Sequence, residues 1–315
     1  MAQDNSILQK IIDSCKYVMN SSKHVIINYD KLNLFIKNID SDKIKHWLTN
    51  NPYNLLELGI ENVVNFLLYF EAINYSFWGE PKWTVETELR IKDGSDALLY
   101  LLLKYVKEQK KMDFSKVSLN EFKKLLKGNV EIPLINERYK TLVEISEIVN
   151  RDMNGNFYKY ISHITKDTDL FELIVNSFPS FKDEREYNGK KIYFYKLAQL
   201  LVSDILHLRE VLEEIKVDYS HLLGCADYKI PQTLRALDII SYDNELSSIV
   251  DNKIEIEYSS KYEVEIRASM LVVIDYIKNK LTDNTAIDIN DYFFTVLKNV
   301  KDKSKPYHLC RNTNY

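Results

Sequence analysis

Glycine and proline are scarce, with 7 and 6 residues in a chain of 315. So few breakers favour long helices and exclude a chain built on disordered linkers. Cysteine is rarer still. Cys15, Cys225 and Cys310 form neither a metal-ligand spacing nor an even framework, so reduced thiols in a cytoplasmic protein are expected. Histidines at 24, 46, 163, 207, 221 and 308 are scattered, and no pair has the spacing of a metal-binding helix. There is no glycine-rich phosphate loop, no Gly-x-Ser-x-Gly and no His-Glu-x-x-His. No metal or other cofactor is expected. An excess of one charge is also missing: 42 basic and 46 acidic residues leave a net charge of −4. That balance argues against coating nucleic acid by charge, while leaving room for a local basic pocket. Apolar runs such as "VVNFLLYF" are too short to span a bilayer. The start "MAQDNSILQK" carries an early acid and no long apolar stretch, so no signal peptide and no membrane partner are expected.

What is present is helical pattern. The chain is 45% hydrophobic and 28% charged, as a folded protein should be. In "SILQKIIDSCKYVMN", Ile7/Leu8, Ile11/Ile12, Cys15 and Val18/Met19 share one face. "DKLNLFIKNI" and "DKIKHWLTN" read as short helices, and "ENVVNFLLYFEAINYSFW" as a buried helix with an aromatic end. Ser118 and Glu121 fit a capping box, and Pro133 fits the first turn of the helix after it. "KWTVETELRI" alternates as a strand does, and Asn188-Gly189 between aromatic runs signals a hairpin. "YKLAQLLVSDILHLREVLEEI", "YEVEIRASMLVVIDYIKNKL" and "INDYFFTVLKNV" read as further helices. The expected fold is mainly α, with one or two small β-hairpins, as a single unit over 1–315. A division into lobes 1–180 and 181–315 is the alternative arrangement.

Five places carry residues suited to chemistry, each beside a plainer structural role. Phe77 and Trp78 in "FWGEPKW" can stack on a flat base or plug a helix end. Lys196 and Asp204 in "YKLAQLLVSD" lie two turns apart; an aspartate among apolar residues needs a partner, either a ligand or a structural ion pair. In "CADYKIPQ", Pro231 marks a helix start and pushes Ile230 towards an extended conformation. Asp227, between Cys225 and Tyr228, then faces the positive end of a helix. It suits a helix-start acid, or an acid that must stay negative beside a developing cation. Glu263 and Arg267 can form a surface pair at i,i+4, or present the arginine to a phosphate. In the tail, His308 and Arg311 are three apart and can both reach an anion.

The stretches "NYSFWGE", "EIPLINER", "SFPSFKD", "FYKLAQLLVSD", "ADYKIPQTL", "YEVEIRA" and "KPYHLCRNTNY" resemble, in this order, the queuosine salvage family of queuosine 5′-phosphate N-glycosylases. The resemblance runs from about residue 74 to the end; the first 70 residues match only in helical character. It implies a helical fold whose catalytic part is similar to DNA glycosylases. It also implies hydrolysis of queuosine 5′-monophosphate to queuine and ribose 5-phosphate, without a metal. Asp227 takes the position of the family's catalytic carboxylate. Lys196, Arg267 and His308 become candidates for the ribose-phosphate end, with Arg311 beside them. Asp291 and Asp204 become candidates for the polar edge of the base, and Phe77, Trp78, Cys225 and Tyr228 for its surroundings. The chain departs from the family pattern at Cys225, where an aromatic is usual, and in "GSDALL", which lacks an aromatic pair.

The expected partner is therefore a small molecule, with no stable nucleic-acid complex. Two other functions compete: a glycosylase-like protein bound to polymer, and a helical interaction module without chemistry. Convergence of Asp227, Lys196 and Arg267 on one pocket would separate the module from the enzyme.

Overall fold

The computed structural model describes residues 6–50, 55–109, 111–281, 283–296 and 305–315. Its helices are α1 Ile7–Ser21, α2 Tyr29–Lys37, α3 Ile60–Ala72, α4 Gly94–Gln109, α5 Leu119–Leu125, α6 Ile135–Asp152, α7 Phe157–Ile161, α8 Asp167–Ser177, α9 Lys196–Glu213, α10 Lys229–Ala236, α11 Asn244–Asp251, α12 Lys261–Lys278 and α13 Ala286–Asp291. The strands are β1 Val25–Ile27, β2 Thr84–Glu86, β3 Ile91–Asp93, β4 Glu184–Tyr187, β5 Lys190–Tyr193 and β6 Ile240–Tyr242. They form three antiparallel pairs. Two are the local hairpins β2–β3 and β4–β5; in the second, Asn188 and Gly189 both take positive φ, as the Asn-Gly turn requires. The third pair, β1–β6, joins segments far apart in sequence and is not signalled by any local pattern. The fold is mainly α, as expected.

Local punctuation is largely as the sequence predicts. Ser6 caps α1, and the Ser118–Glu121 capping box is formed on α5. Three details differ. Pro133 precedes α6 rather than opening it, because Leu134 turns left-handed (φ 56°) before the helix starts. "DKIKHWLTN" forms two 3₁₀ turns, Ser41–Lys43 and Trp47–Asn50, instead of a helix. There the Trp47 N–H is drawn to the Asp291 carboxylate (2.9 Å) and the Leu48 N–H to His46 Nδ1 (3.2 Å). "INDYFFTVLKNV" is helical as α13 and continues as a π-turn over Tyr292–Val296; its last four residues, 297–300, lie outside the described residues.

The central pair of helices is α3 against α9, with α1 laid along α12. Both pairings bring together residues on either side of position 180. α9 is buried over most of its length, and so is α12. Glu263 and Arg267, for which a surface pair was one of two readings, are fully buried on α12. Glu265, one turn-face away, ties the N-terminal segment to this helix. Its carboxylate accepts Ser22 Oγ (2.7 Å), the N–H groups of Lys23, His24 and Val25 (3.3, 2.7 and 3.1 Å) and the Tyr187 hydroxyl (2.8 Å). Donors desolvated around one acceptor lose it together when it is removed. Glu265→Ala should therefore destabilise the fold by on the order of 3 kcal/mol or more, read by urea unfolding. A loss below about 1 kcal/mol would show that this carboxylate is dispensable.

Candidate active site

A cavity of about 740 Å³ opens between α3, α9, the loop before α10 and the C-terminal segment. Its size suits one small-molecule ligand. Phe77, Trp78, Lys196, Cys225, Asp227, Tyr228 and Asp291 all line it, so seven of the predicted residues converge. Asp204, Arg267, His308 and Arg311 are not among its lining residues.

Asp227 sits two residues before α10. Its Oδ1 accepts the N–H groups of Lys229 (2.8 Å) and Ile230 (3.0 Å). These are orphan donors of a helix start, so the carboxylate is fixed in place and faces positive peptide dipoles. The same two bonds explain a departure from the sequence reading. Ile230 is helical rather than extended, and α10 begins at Lys229, with Pro231 third in the helix, where its missing N–H costs nothing. Both bonds fall on one oxygen.

The backbone ahead of Asp227 is held by Arg267. Its Nε donates to the carbonyl of Ala226 (2.9 Å), and its terminal nitrogens bind Asp183 at 2.9 and 2.6 Å and Glu263 at 3.4 Å. Phe194 and Tyr315 rings cover its two sides at 4.1 and 4.2 Å. Arg185 completes the group, with 3.0 Å to Asp183 and 2.9 Å to Glu263, so two arginines balance two acids. Buried Asp183 has its pKa lowered despite desolvation, because Arg267 and then Arg185 hold it. The sequence reading of Arg267 as a phosphate ligand is thus corrected: its donors are spent on protein groups, and its contact with the site runs through Ala226.

The aromatic wall is built in a similar way. Arg138, fully buried, donates to the carbonyls of Ile73, Tyr75 and Ser76 and, through Nε, to Pro133 (2.8 Å). It stacks under the Tyr75 and Phe77 rings at 4.4 and 4.8 Å. The irregular segment after α3 therefore has its backbone held by one guanidinium. Arg311 lies over the Trp78 ring (4.3 Å) and near Glu255 (3.6 Å), outside the cavity. His308 is buried behind Tyr315, 3.4 Å from its hydroxyl, and burial pushes its pKa down to about 3, so it is neutral. Neither reaches an anion in the cavity. Lys196 does line it and donates to the Asn74 carbonyl (3.0 Å). Burial raises the Cys225 thiol well above its ordinary value, so it is a neutral wall and not a nucleophile.

Several lining residues were not singled out from sequence: Trp47, Glu71, Asn74, Lys229, Asn290 and Tyr307. Glu71 carried a signal of the same type as Asp204, a lone acid inside an apolar helix. Trp47 joins Asp204 to Asp291, donating Nε1–H to the first (2.7 Å) and its backbone N–H to the second (2.9 Å). Asn290 accepts the Cys225 N–H (2.9 Å) and donates to Asp291 (3.1 Å). Lys229 lies over the Tyr307 ring at 4.0 Å.

A family model described as queuosine salvage protein matches residues 56–315. The chain belongs to the queuosine salvage protein family. Among curated relatives, a queuosine 5′-phosphate N-glycosylase/hydrolase of Sphaerobacter thermophilus is 29% identical over 267 residues, 82% of this chain and 83% of its own. Proteins of the same name from Dictyostelium discoideum and Mus musculus are 27% and 24% identical, over 96% and 88% of this chain and 97% and 88% of theirs. The motif-bearing stretches all fall within the family match. They are also the stretches that line the cavity or brace its walls.

Asp291 gives this site a measurable pH signature. Burial raises its carboxyl to about 7, against the bonds from Trp47 and Asn290. The folded protein thus keeps a proton that the unfolded chain releases, and stability falls as pH rises from about 4 to about 7. Asp291→Asn should flatten that part of the stability profile relative to the parent protein, measured by unfolding at several pH values. Parallel profiles would show that Asp291 ionises freely in the fold.

Proposed function

We infer that this protein hydrolyses the N-glycosidic bond of queuosine 5′-monophosphate, releasing queuine and ribose 5-phosphate. The observation that carries the reading is Asp227. A member of this family presents a carboxylate, pinned at a helix start, in a cavity sized for one small molecule, with an aromatic wall. Cleavage at C1′ builds positive charge on the ribose ring, and a fixed anion beside it stabilises that charge without reorganising. The aromatic rings Phe77, Trp78 and Tyr228 suit the faces of a flat base. Lys196 and Lys229 supply positive charge in the cavity for the 5′-phosphate. Lys82 and Arg90 line it too, bound to Asp93 (2.7 Å) and Asp96 (2.8 Å). Holding the phosphate uses binding energy remote from C1′ to orient the sugar.

The whole chain acts as one unit in this reading, because cavity residues run from Trp47 to Tyr315. The free nucleotide, not a polymer, is the substrate: the net charge of −4 supplies no general attraction to nucleic acid. The site of action is the cytoplasm, in keeping with three free cysteines. Among the described residues no helix is long and apolar enough to cross a membrane.

Incubation with queuosine 5′-monophosphate should release free queuine, detected by mass; no release would overturn the reading. Asp227→Asn should retain the fold and lose turnover by about 10³-fold, and near-normal turnover would remove Asp227 from the reaction. Queuosine itself should give a much lower kcat/KM than its 5′-monophosphate, and equal values would exclude a productive phosphate contact.

A further inference from the structure

The cavity floor contains a feature that the hydrolysis of a sugar cation does not by itself require. Glu71, at the end of α3, lines the cavity and is fully buried. Its Oε2 accepts the Asn74 side-chain amide (2.8 Å). Behind it, on α9, lies Asp204, whose Oδ1 accepts Trp47 Nε1–H (2.7 Å) with His46 Nε2 at 3.4 Å. The remaining oxygens, Glu71 Oε1 and Asp204 Oδ2, are both buried and find no donor among the described residues. The two acids sit on the packed helices α3 and α9, and each bears on the other's ionisation. A proton shared by the two unmet oxygens would supply the missing donor and leave the pair with at most one negative charge.

The leaving base gives that proton a use. A 7-deazapurine has carbon in place of N7, so the ordinary purine site for protonation is missing. Charge departing with the base collects on its carbonyl and pyrimidine edge, at O6 and N3. We propose that the Glu71–Asp204 pair is the general acid of the reaction: Glu71 is the catalytic residue that donates to the leaving base, and Asp204 is the positioning residue that keeps the proton in place. This rests on the activity inferred above. The C1′–N9 bond breaks, its electron pair stays with the base, and the proton passes from Glu71 to O6 or N3. Water adds to C1′, and the proton that water loses returns to the pair. The base leaves neutral and shifts to its N9–H tautomer in solution. No oxidant or further reactant is needed.

The surroundings keep the pair protonated. Burial raises both groups, and Asp291 on α13 adds repulsion to Asp204. Lys196, from the start of α9, opposes this at Glu71. His46, next to Asp204, stacks on His207 with ring centroids 4.0 Å apart, and burial lowers both, so neither imidazole brings a compensating charge. The Cys225 thiol facing the same acids is neutral.

The test compares two leaving groups on the parent protein and on Glu71→Gln. One substrate is queuosine 5′-monophosphate; the other is p-nitrophenyl β-D-ribofuranoside 5-phosphate, whose phenolate departs without an acid. Glu71→Gln should lose about 10²-fold or more in kcat with the first and stay within about fivefold with the second. Asp227→Asn should lose both. Equal losses on the two substrates in Glu71→Gln, or retained turnover of the nucleotide, would overturn the assignment of the acid. A second measurement needs no variant: kcat of the parent protein should fall on the alkaline side for the nucleotide and not for the phenyl substrate. The same alkaline fall for both would also overturn it. If the parent protein releases no queuine, the activity itself fails and the acid role falls with it. If queuine is released and the leaving-group contrast is absent, only the acid role fails.

Discussion

Arg267 is the constraint on which the site depends. A guanidinium with no exposure can persist only if its donors and charge are met by the protein. Here they are met by Asp183, Glu263 and the carbonyl of Ala226, with aromatic rings on two sides. Three segments far apart in sequence are thereby joined at one point: the start of the β4–β5 hairpin, the α12 helix and the loop that carries Asp227. Asp183 extends the junction by accepting the Lys196 N–H (3.2 Å), which sets the start of α9 and the lysine that faces the cavity. Arg138 plays the parallel part for the aromatic wall. Both arginines shape the site from behind: Arg267 is met by two acids, and Arg138 spends its donors on backbone carbonyls.

The carboxyl groups around the cavity differ in environment more than in chemistry. Asp227 is half-buried, and its Oδ1 is held by two peptide N–H donors at a helix start. Glu71, Asp204 and Asp291 are buried near one another, and burial raises all three. Like charges in such proximity cannot all ionise. The site therefore sets one acid, held by peptide N–H donors, apart from a buried cluster in which burial favours the protonated form.

Much of this was legible in the sequence, for identifiable reasons. The helix-start proline and the apolar flanks located Asp227 next to a helix N-terminus, and the aromatic run at 77–78 identified the wall. The Asn188-Gly189 turn and the Ser118–Glu121 cap are local, and local rules read them correctly. What escaped was non-local. The i,i+4 spacing of Glu263 and Arg267 looks like a surface pair, because spacing alone cannot show Asp183 arriving from 84 positions away. Trp47 lies in a stretch whose helical pattern was misread, since the donors that break the pattern go to α13 and the neighbouring histidine. His308 and Arg311 share a short motif, yet one is buried behind Tyr315 and the other lies over the outer side of Trp78. Motif proximity does not state which side of a wall a residue occupies.

The C-terminal segment has a further thermodynamic consequence. Tyr307 and Tyr315 line the cavity, while the segment around them is held by Ser76, through its Oγ–H to Asn312 (2.7 Å), and by the parallel bridge of Leu309 to Glu255. A ligand that filled the cavity would meet a floor from α3 and α9 and a wall from this segment at the same time. It would then act as a clasp, and an opening that lifts the segment would cost the ligand's contacts as well. Occupancy and the integrity of the chain's last residues would be linked by mass action, with a stabilisation of RT ln(1 + [L]/Kd). Resistance of the C-terminal segment to hydrogen exchange would then gauge site occupancy independently of turnover.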